Sequence, residues 1–211
     1  MVLDVTEYHA DVYYNSQTGE RAHAAFPDGV IDDVNYDGNI RAFLFLLNND
    51  CCTSIDKSRK FLSDLTDGKL NISKGMISKL SREFALKTEP ERKAAYADML
   101  LSPVMHTDCT SGRENGKSCQ VYVCATPDGK ALYFARENMH NHLLFLHDIR
   151  VPATNNEAER LLKNYKRKQA QAVTFRSFEN IAYLCQCMSM LVLMHLEDPA
   201  NIYDRVSRIF G

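Results

Sequence analysis

The chain has 211 residues, 45% of them hydrophobic and 25% charged, which is enough apolar material for one domain-sized core and excludes a mainly disordered chain. Its 25 Lys and Arg against 27 Asp and Glu give a net charge of −2. A uniformly basic nucleic-acid coat is thereby excluded, and any polyanionic partner has to be met by a local patch.

Residues 1–35 mix short β-type runs, such as Val12-Tyr13-Tyr14, with turn signals at Asn15-Ser16, Thr18-Gly19 and Pro27-Asp28-Gly29, and read as an irregular lead-in. From 36 to 100 the period becomes helical. Ile40, Phe43, Leu44, Leu46 and Leu47 predict a helix ending near Asn48-Asn49-Asp50, a second helix follows over 54–65, and Ser73 is placed to cap a third. Helix 55–65, turn 66–70 and the helix from Ser73 have the helix-turn-helix rhythm, whose second helix would offer Lys74, Ser78, Lys79 and Arg82 to phosphates and base edges.

Beyond residue 100 the period shortens. Residues 103–107 predict a strand ending at Asp108; 118–125 (SCQVYVCA) and 131–135 (ALYFA) predict two more, joined by the turn Thr126-Pro127-Asp128-Gly129. The expected unit is three antiparallel strands with a carboxylate on the first. The apolar run Leu143 to Leu146 and an irregular stretch with Pro152 precede a helix starting near Asn155 or Asn156, with Glu159 near its first turn. From there Arg160, Lys163, Lys166, Arg167, Lys168 and Arg176 follow with no Asp or Glu before Phe178, forming a local basic patch where a phosphodiester would lie. A last helix is predicted over 178–196, and 201–211 reads as a tail.

The apolar stretch Ile181 to Leu196 is interrupted by Gln186, Ser189 and His195 and is short of a membrane span, so it reads as a core helix. Seven cysteines with no CxxC pair, behind an N-terminus without a secretory pattern, lead to the expectation of a reduced cytoplasmic protein. Cys185 and Cys187 are expected to be buried thiols. Two further clusters draw notice: His140, His142 and His147 with Cys109 or His106 as zinc-type ligands, and Cys109 beside His106 as a nucleophile.

The run His147-Asp148-Ile149-Arg150-Val151-Pro152-Ala153-Thr154-Asn155-Asn156-Glu157-Ala158-Glu159-Arg160, continued by Lys166-Arg167-Lys168-Gln169 and Phe175-Arg176-Ser177, closely resembles the C-terminal signature of transposases of the insertion-sequence sixty-six family. His106-Thr107-Asp108-Cys109-Thr110 with Asn115-Gly116-Lys117 resembles the family's first catalytic strand and the turn after it, and the stretch 55–84 is similar to the helix-turn-helix that precedes that strand. The resemblance implies a DDE transposase, a metal-dependent DNA strand-cleaving and strand-transferring enzyme with a ribonuclease-H-like core. In that chemistry three acids hold two Mg²⁺ or Mn²⁺ ions, one activating the attacking oxygen and one stabilising the leaving oxygen. By motif the first acid is Asp108 and the third Glu159; Glu157, two residues earlier, points to another side of the helix. The partner implied is the double-stranded DNA of transposon ends, bound by a homo-oligomer, with no membrane role.

The sequence departs from the family pattern in its middle. Residues 137–154 alone separate the third strand from the basic helix, too few for the second acid's strand and the helices that accompany it. Asp148 is the nearest replacement for that acid. Residues 1–35 hold no cysteine, so the zinc module of longer members is not expected there. The expectation is an α/β (α+β) chain: an irregular lead-in (1–35), a helix-turn-helix-like region (36–100), a truncated ribonuclease-H-like core ending in a long helix (101–200) and a tail (201–211). Its function would be that of a transposase, binding, cleaving and transferring DNA strands in transposition, or, with the second acid missing, that of a catalytically inactive DNA-binding remnant.

Overall fold

The computed structural model describes residues 3–28, 30, 34–136, 156–172, 175–198 and 200–211. Those residues form seven helices and two small antiparallel sheets, a mixed α and β architecture as expected. The first sheet is a hairpin of β1 (Val12–Tyr14) and β2 (Arg21–His23), with Gly19 at φ +75° in its turn.

Four helices follow: α1 (Gly38–Asn49), α2 (Ile55–Leu65), α3 (Lys74–Lys87) and α4 (Glu89–Met99). Each of the first three starts where a short polar side chain accepts an otherwise orphaned amide: Asp37 from Ile40 N, Ser54 from Lys57 N and Ser73 from Met76 N. The cap expected at Ser73 is therefore present. Pro90 sits in the first turn of α4, where its missing N–H leaves no bond unmade, and the chain breaks between α3 and α4 at Thr88, whose hydroxyl donates to Phe84 O at 2.8 Å.

The second sheet is the expected meander, in the order β3 (His106–Glu114), β4 (Lys117–Ala125), β5 (Ala131–Arg136). The first strand is displaced from expectation. It begins at His106, paired with Ala125, and runs on through Thr110, Ser111 and Gly112 to Glu114, so Asp108 is its third residue and not its end. Those polar residues carry no alternation of their own; they are held in strand by register with the apolar β4. The β3–β4 turn uses Asn115 at φ +43° and Gly116 at φ +82°, the pair that a two-residue hairpin turn demands.

Two helices complete the core, α5 (Asn156–Ala172) and α6 (Phe178–Glu197). Ala158, Leu161, Leu162 and Tyr165 of α5 pack on Cys119, Val121 and Val123 of β4. Apolar nearly all round, α6 is shared by two clusters: Ile181, Leu184, Cys185 and Met188 join that sheet-side core, while Cys187, Met190, Leu191 and Met194 join the core of α1, α2 and α3. It also covers the free edge of β5, where Ser189 Oγ accepts from Tyr133 N at 2.8 Å. The seven cysteines are thiols, not disulfides, and burial pushes Cys185 and Cys187 far above their ordinary range, as expected for inert core thiols. Among the described residues no helix is long and apolar enough to cross a membrane.

The segment expected as a tail is a seventh helix, α7 (Ile202–Phe210). Ile202, Val206, Ile209 and Phe210 recur at helical spacing, and Phe210 is buried against Phe45 and Phe84 at ring-centroid distances of 5.5 and 6.0 Å. A nine-residue helix is too short to persist by itself, so its docking on α1 is what forms it.

Candidate nucleic-acid interface

The basic helix α5 turns its apolar side to the sheet, and at 100° per residue this dictates where its cations go. Arg160, Lys163, Lys166 and Arg167 are all exposed, with Arg160, Lys163 and Arg167 aligned at three- and four-residue steps on the solvent side. Arg160 is partly engaged: its Nε donates to Glu157 Oε2 at 3.1 Å and its terminal nitrogen to Glu157 Oε1.

Lys168 departs from the sequence reading as a DNA contact. It lies on the flank nearest the core, is 8% exposed, and its ammonium donates to Asn48 O in the last turn of α1, one of the carbonyls a helix end leaves unpaired. Burial lowers its pKa to about 8, against an opposing pull from the Cys52 and Cys187 thiols. Its cationic side chain fastens α5 to α1 and does not reach outward.

On α3, Lys74, Ser78, Lys79 and Arg82 are all exposed, as expected for the polar side of that helix. Lys74 Nζ lies 2.6 Å from Asp56 Oδ1 across the α2–α3 turn. Lys74, Ser78 and Arg82 line a cleft of about 630 Å³ that also takes in Asn48, Asn49, Lys168, Gln171, Arg176 and Asn180, whereas Lys79 lies outside it. Three exposed cations, Lys74, Arg82 and Arg176, face this cleft against one carboxylate, the paired Asp56, with the buried Lys168 at its wall. First-turn residues of α2, α3 and α6 also border it, so three helix ends of positive dipole sign converge there.

Arg176 reaches the cleft because the chain before α6 is stitched to β3. Phe175 N donates to Arg113 O at 3.3 Å, Asn115 N to Phe175 O at 3.2 Å, and Asn115 Nδ2 to Arg176 O at 2.8 Å. The sequence reading named the basic residues of α3 and of 160–176 separately. It missed that they share one cleft, and it missed Asn48, Gln171 and Asn180, because a lone amide side chain on a helix carries no periodic or charge signal.

Among the described residues there is no group of three or more His, Cys, Asp and Glu side chains that could hold an ion. Asp108 is half-buried on β3 and its Oδ1 accepts from Cys109 N at 2.8 Å. Glu159 is exposed, on the side of α5 away from the core. Glu157 is the half-buried acid of that turn: the Arg160 guanidinium holds its carboxyl below the usual range, and His106 at the start of β3 adds to the effect. Asp148, the replacement acid, lies outside the described residues, as do His140, His142 and His147 of the zinc-type cluster. Cys109 is a poor nucleophile, since burial and then the Asp108 charge push its thiol up. No family model, curated protein or solved structure matches the chain.

Proposed function

We propose that this chain is a DNA-binding remnant of a DDE transposase of the insertion-sequence sixty-six type. Lys74 and Arg82 on one helix, Arg176 ahead of another and the exposed strip Lys163, Lys166 and Arg167 hold the phosphates of double-stranded DNA. The observation that carries this reading is the convergence, at one cleft, of cations from segments far apart in sequence. A solvated helix face has no reason to gather them; a polyanion does.

Finer assignments rest on the same reading. The α2–turn–α3 unit, with Ser73 as cap and Lys74, Ser78, Lys79 and Arg82 outward, is a helix-turn-helix that reads the duplex, and a homo-oligomer on the transposon ends is its working form. The three-strand meander with Asp108 on its first strand and α5 across one face is the surviving part of a ribonuclease-H-like core.

The Mg²⁺ or Mn²⁺ chemistry of an intact enzyme needs three acids, and the described residues do not supply such a set. Glu157, half-buried and within electrostatic reach of His106 on β3, is a better remaining partner for Asp108 than the exposed Glu159. The strand-cleaving step is read as lost because residues 137–154 are too few for the second acid's strand, with binding retained.

The test is fluorescence anisotropy of a labelled duplex against salt, with a strand-transfer assay in Mn²⁺ run alongside. Affinity is expected to fall steeply with salt, and products are expected at background for the native chain and for Asp108→Asn alike. A salt-independent affinity would refute DNA binding through phosphates. Products made by the native chain and lost in Asp108→Asn would refute the loss of catalysis.

A further inference from the structure

The mild net charge conceals a division of the chain. Residues 1–36 carry seven acids and one base, a net of −6, which leaves +4 for the other 175 residues. Asp4, Glu7, Asp11 and Glu20 are exposed, and so is every other residue over 4–9 and 11–25. Apolar groups are exposed along with the acids: Val5 at 79%, Val12 at 68%, Tyr13 and Tyr14 each at 63%. The β1–β2 hairpin buries none of its six strand residues. Among the described residues no third element covers these strands, and a bare two-stranded hairpin is marginally stable in water, so it calls for a surface.

The surface of matching charge belongs to the same molecule. We propose that the acidic arm docks on its own chain's basic face, the exposed strip of α5 and the mouth of the adjoining cleft, and competes there with nucleic acid. Carboxylates of Asp4, Glu7, Asp11 and Glu20 take the place of phosphates, and the ring of Tyr13, on the same strand face as Asp11, takes the place of a base beside arginine and lysine side chains. The reach is sufficient. Thirteen residues link His23 to Asp37 and can span up to about 43 Å, while α1, whose C-terminal Asn48 and Asn49 line the cleft, is about 18 Å long. A tether of that length gives an effective concentration on the order of millimolar, ahead of any second copy at ordinary dilution.

This inference rests on the basic face and shares that face with the DNA reading, so its experiment separates the two. The full chain is compared with a quadruple variant, Asp4→Asn, Glu7→Gln, Asp11→Asn and Glu20→Gln, for binding of a labelled 20-base-pair duplex. A labelled peptide of residues 3–24 is titrated onto the same variant and onto the variant that also carries Lys163→Ala, Lys166→Ala and Arg167→Ala. The neutralised arm is expected to tighten duplex binding about tenfold at low salt. The peptide is expected to bind the quadruple variant and to lose that binding when the strip is removed. Peptide binding without duplex binding upholds the arm and removes the DNA reading. Unchanged duplex affinity in the quadruple variant with no peptide binding overturns the arm and leaves the DNA reading standing. A native dimer that dissociates on neutralising the arm would place the arm on a second copy and overturn docking within one chain.

Discussion

Lys168 offers a quantitative test because its environment is set by packing. Its ammonium is buried between α1 and α5, donates to Asn48 O, and titrates at about 8 where an unfolded lysine titrates at 10.5. Below pH 8 both folded and unfolded chains carry the proton, and the folded chain bears the full cost of a poorly solvated charge. Between pH 8 and 10.5 the unfolded chain binds more protons than the folded one, so this group's contribution to stability rises with pH, by at most about 3 kcal/mol across the window. Lys168→Met keeps most of the stem's packing and removes the titration, at a loss of about 1 kcal/mol for the hydrogen bond to the α1 carbonyl. The variant is thus expected to be more stable than the native chain by up to about 2 kcal/mol at pH 7 and less stable above pH 10. Urea unfolding of both proteins between pH 7 and 10.5, under reducing conditions, reads this directly. The raised cysteine and tyrosine groups that do not face Lys168 titrate in both proteins and cancel in the difference, and Cys52, which Lys168 holds down, is replaced by serine in both. A difference that stays constant with pH would refute a buried, depressed Lys168.

Three other outcomes can be checked. Replacing Lys163, Lys166 and Arg167 with alanine should lower the salt slope of duplex binding by up to about 2.7 if each contacts a phosphate, while Lys168→Met leaves the slope unchanged; a lower slope in the latter would mean that Lys168 does reach DNA. Gly112 lies where an added Cβ would sit 2.7 Å from Cys119 Sγ and 2.9 Å from Tyr165 Oη, so Gly112→Ala should cost about 1–3 kcal/mol by prying α5 from β3, measured as a loss in thermal midpoint. Phe210→Ala should cost about 3–5 kcal/mol in chemical unfolding, since the ring is buried beside Phe45 and Phe84 and lies under the Arg41 guanidinium at 5.1 Å; an unchanged midpoint would show that α7 is not docked.

Local signals were legible wherever one residue or one period decides the local conformation. Ser73 caps α3 because a hydroxyl ahead of a helix can accept an amide. The strands β4 and β5, the turn between them and the span of α6 followed from alternation, Gly129 and helical periodicity. The start of β3 was displaced because its polar residues become strand only by pairing with β4, and α7 was missed because nine residues acquire their helix from the α1 surface they meet.

For the candidate site, the sequence by itself determined which residues are charged and that the α5 patch contains no acid. Only the tertiary structure decided which of those charges are available. Successive helix residues lie 100° apart, so Arg167 faces water while Lys168 is drawn under Asn48, and Glu159 points away while Glu157 leans toward the sheet. Tertiary packing alone also brought Arg176 to the cleft that Arg82 lines, through the stitching of Phe175 to β3. Charge is a property of composition, whereas burial and convergence depend on which surfaces pack together.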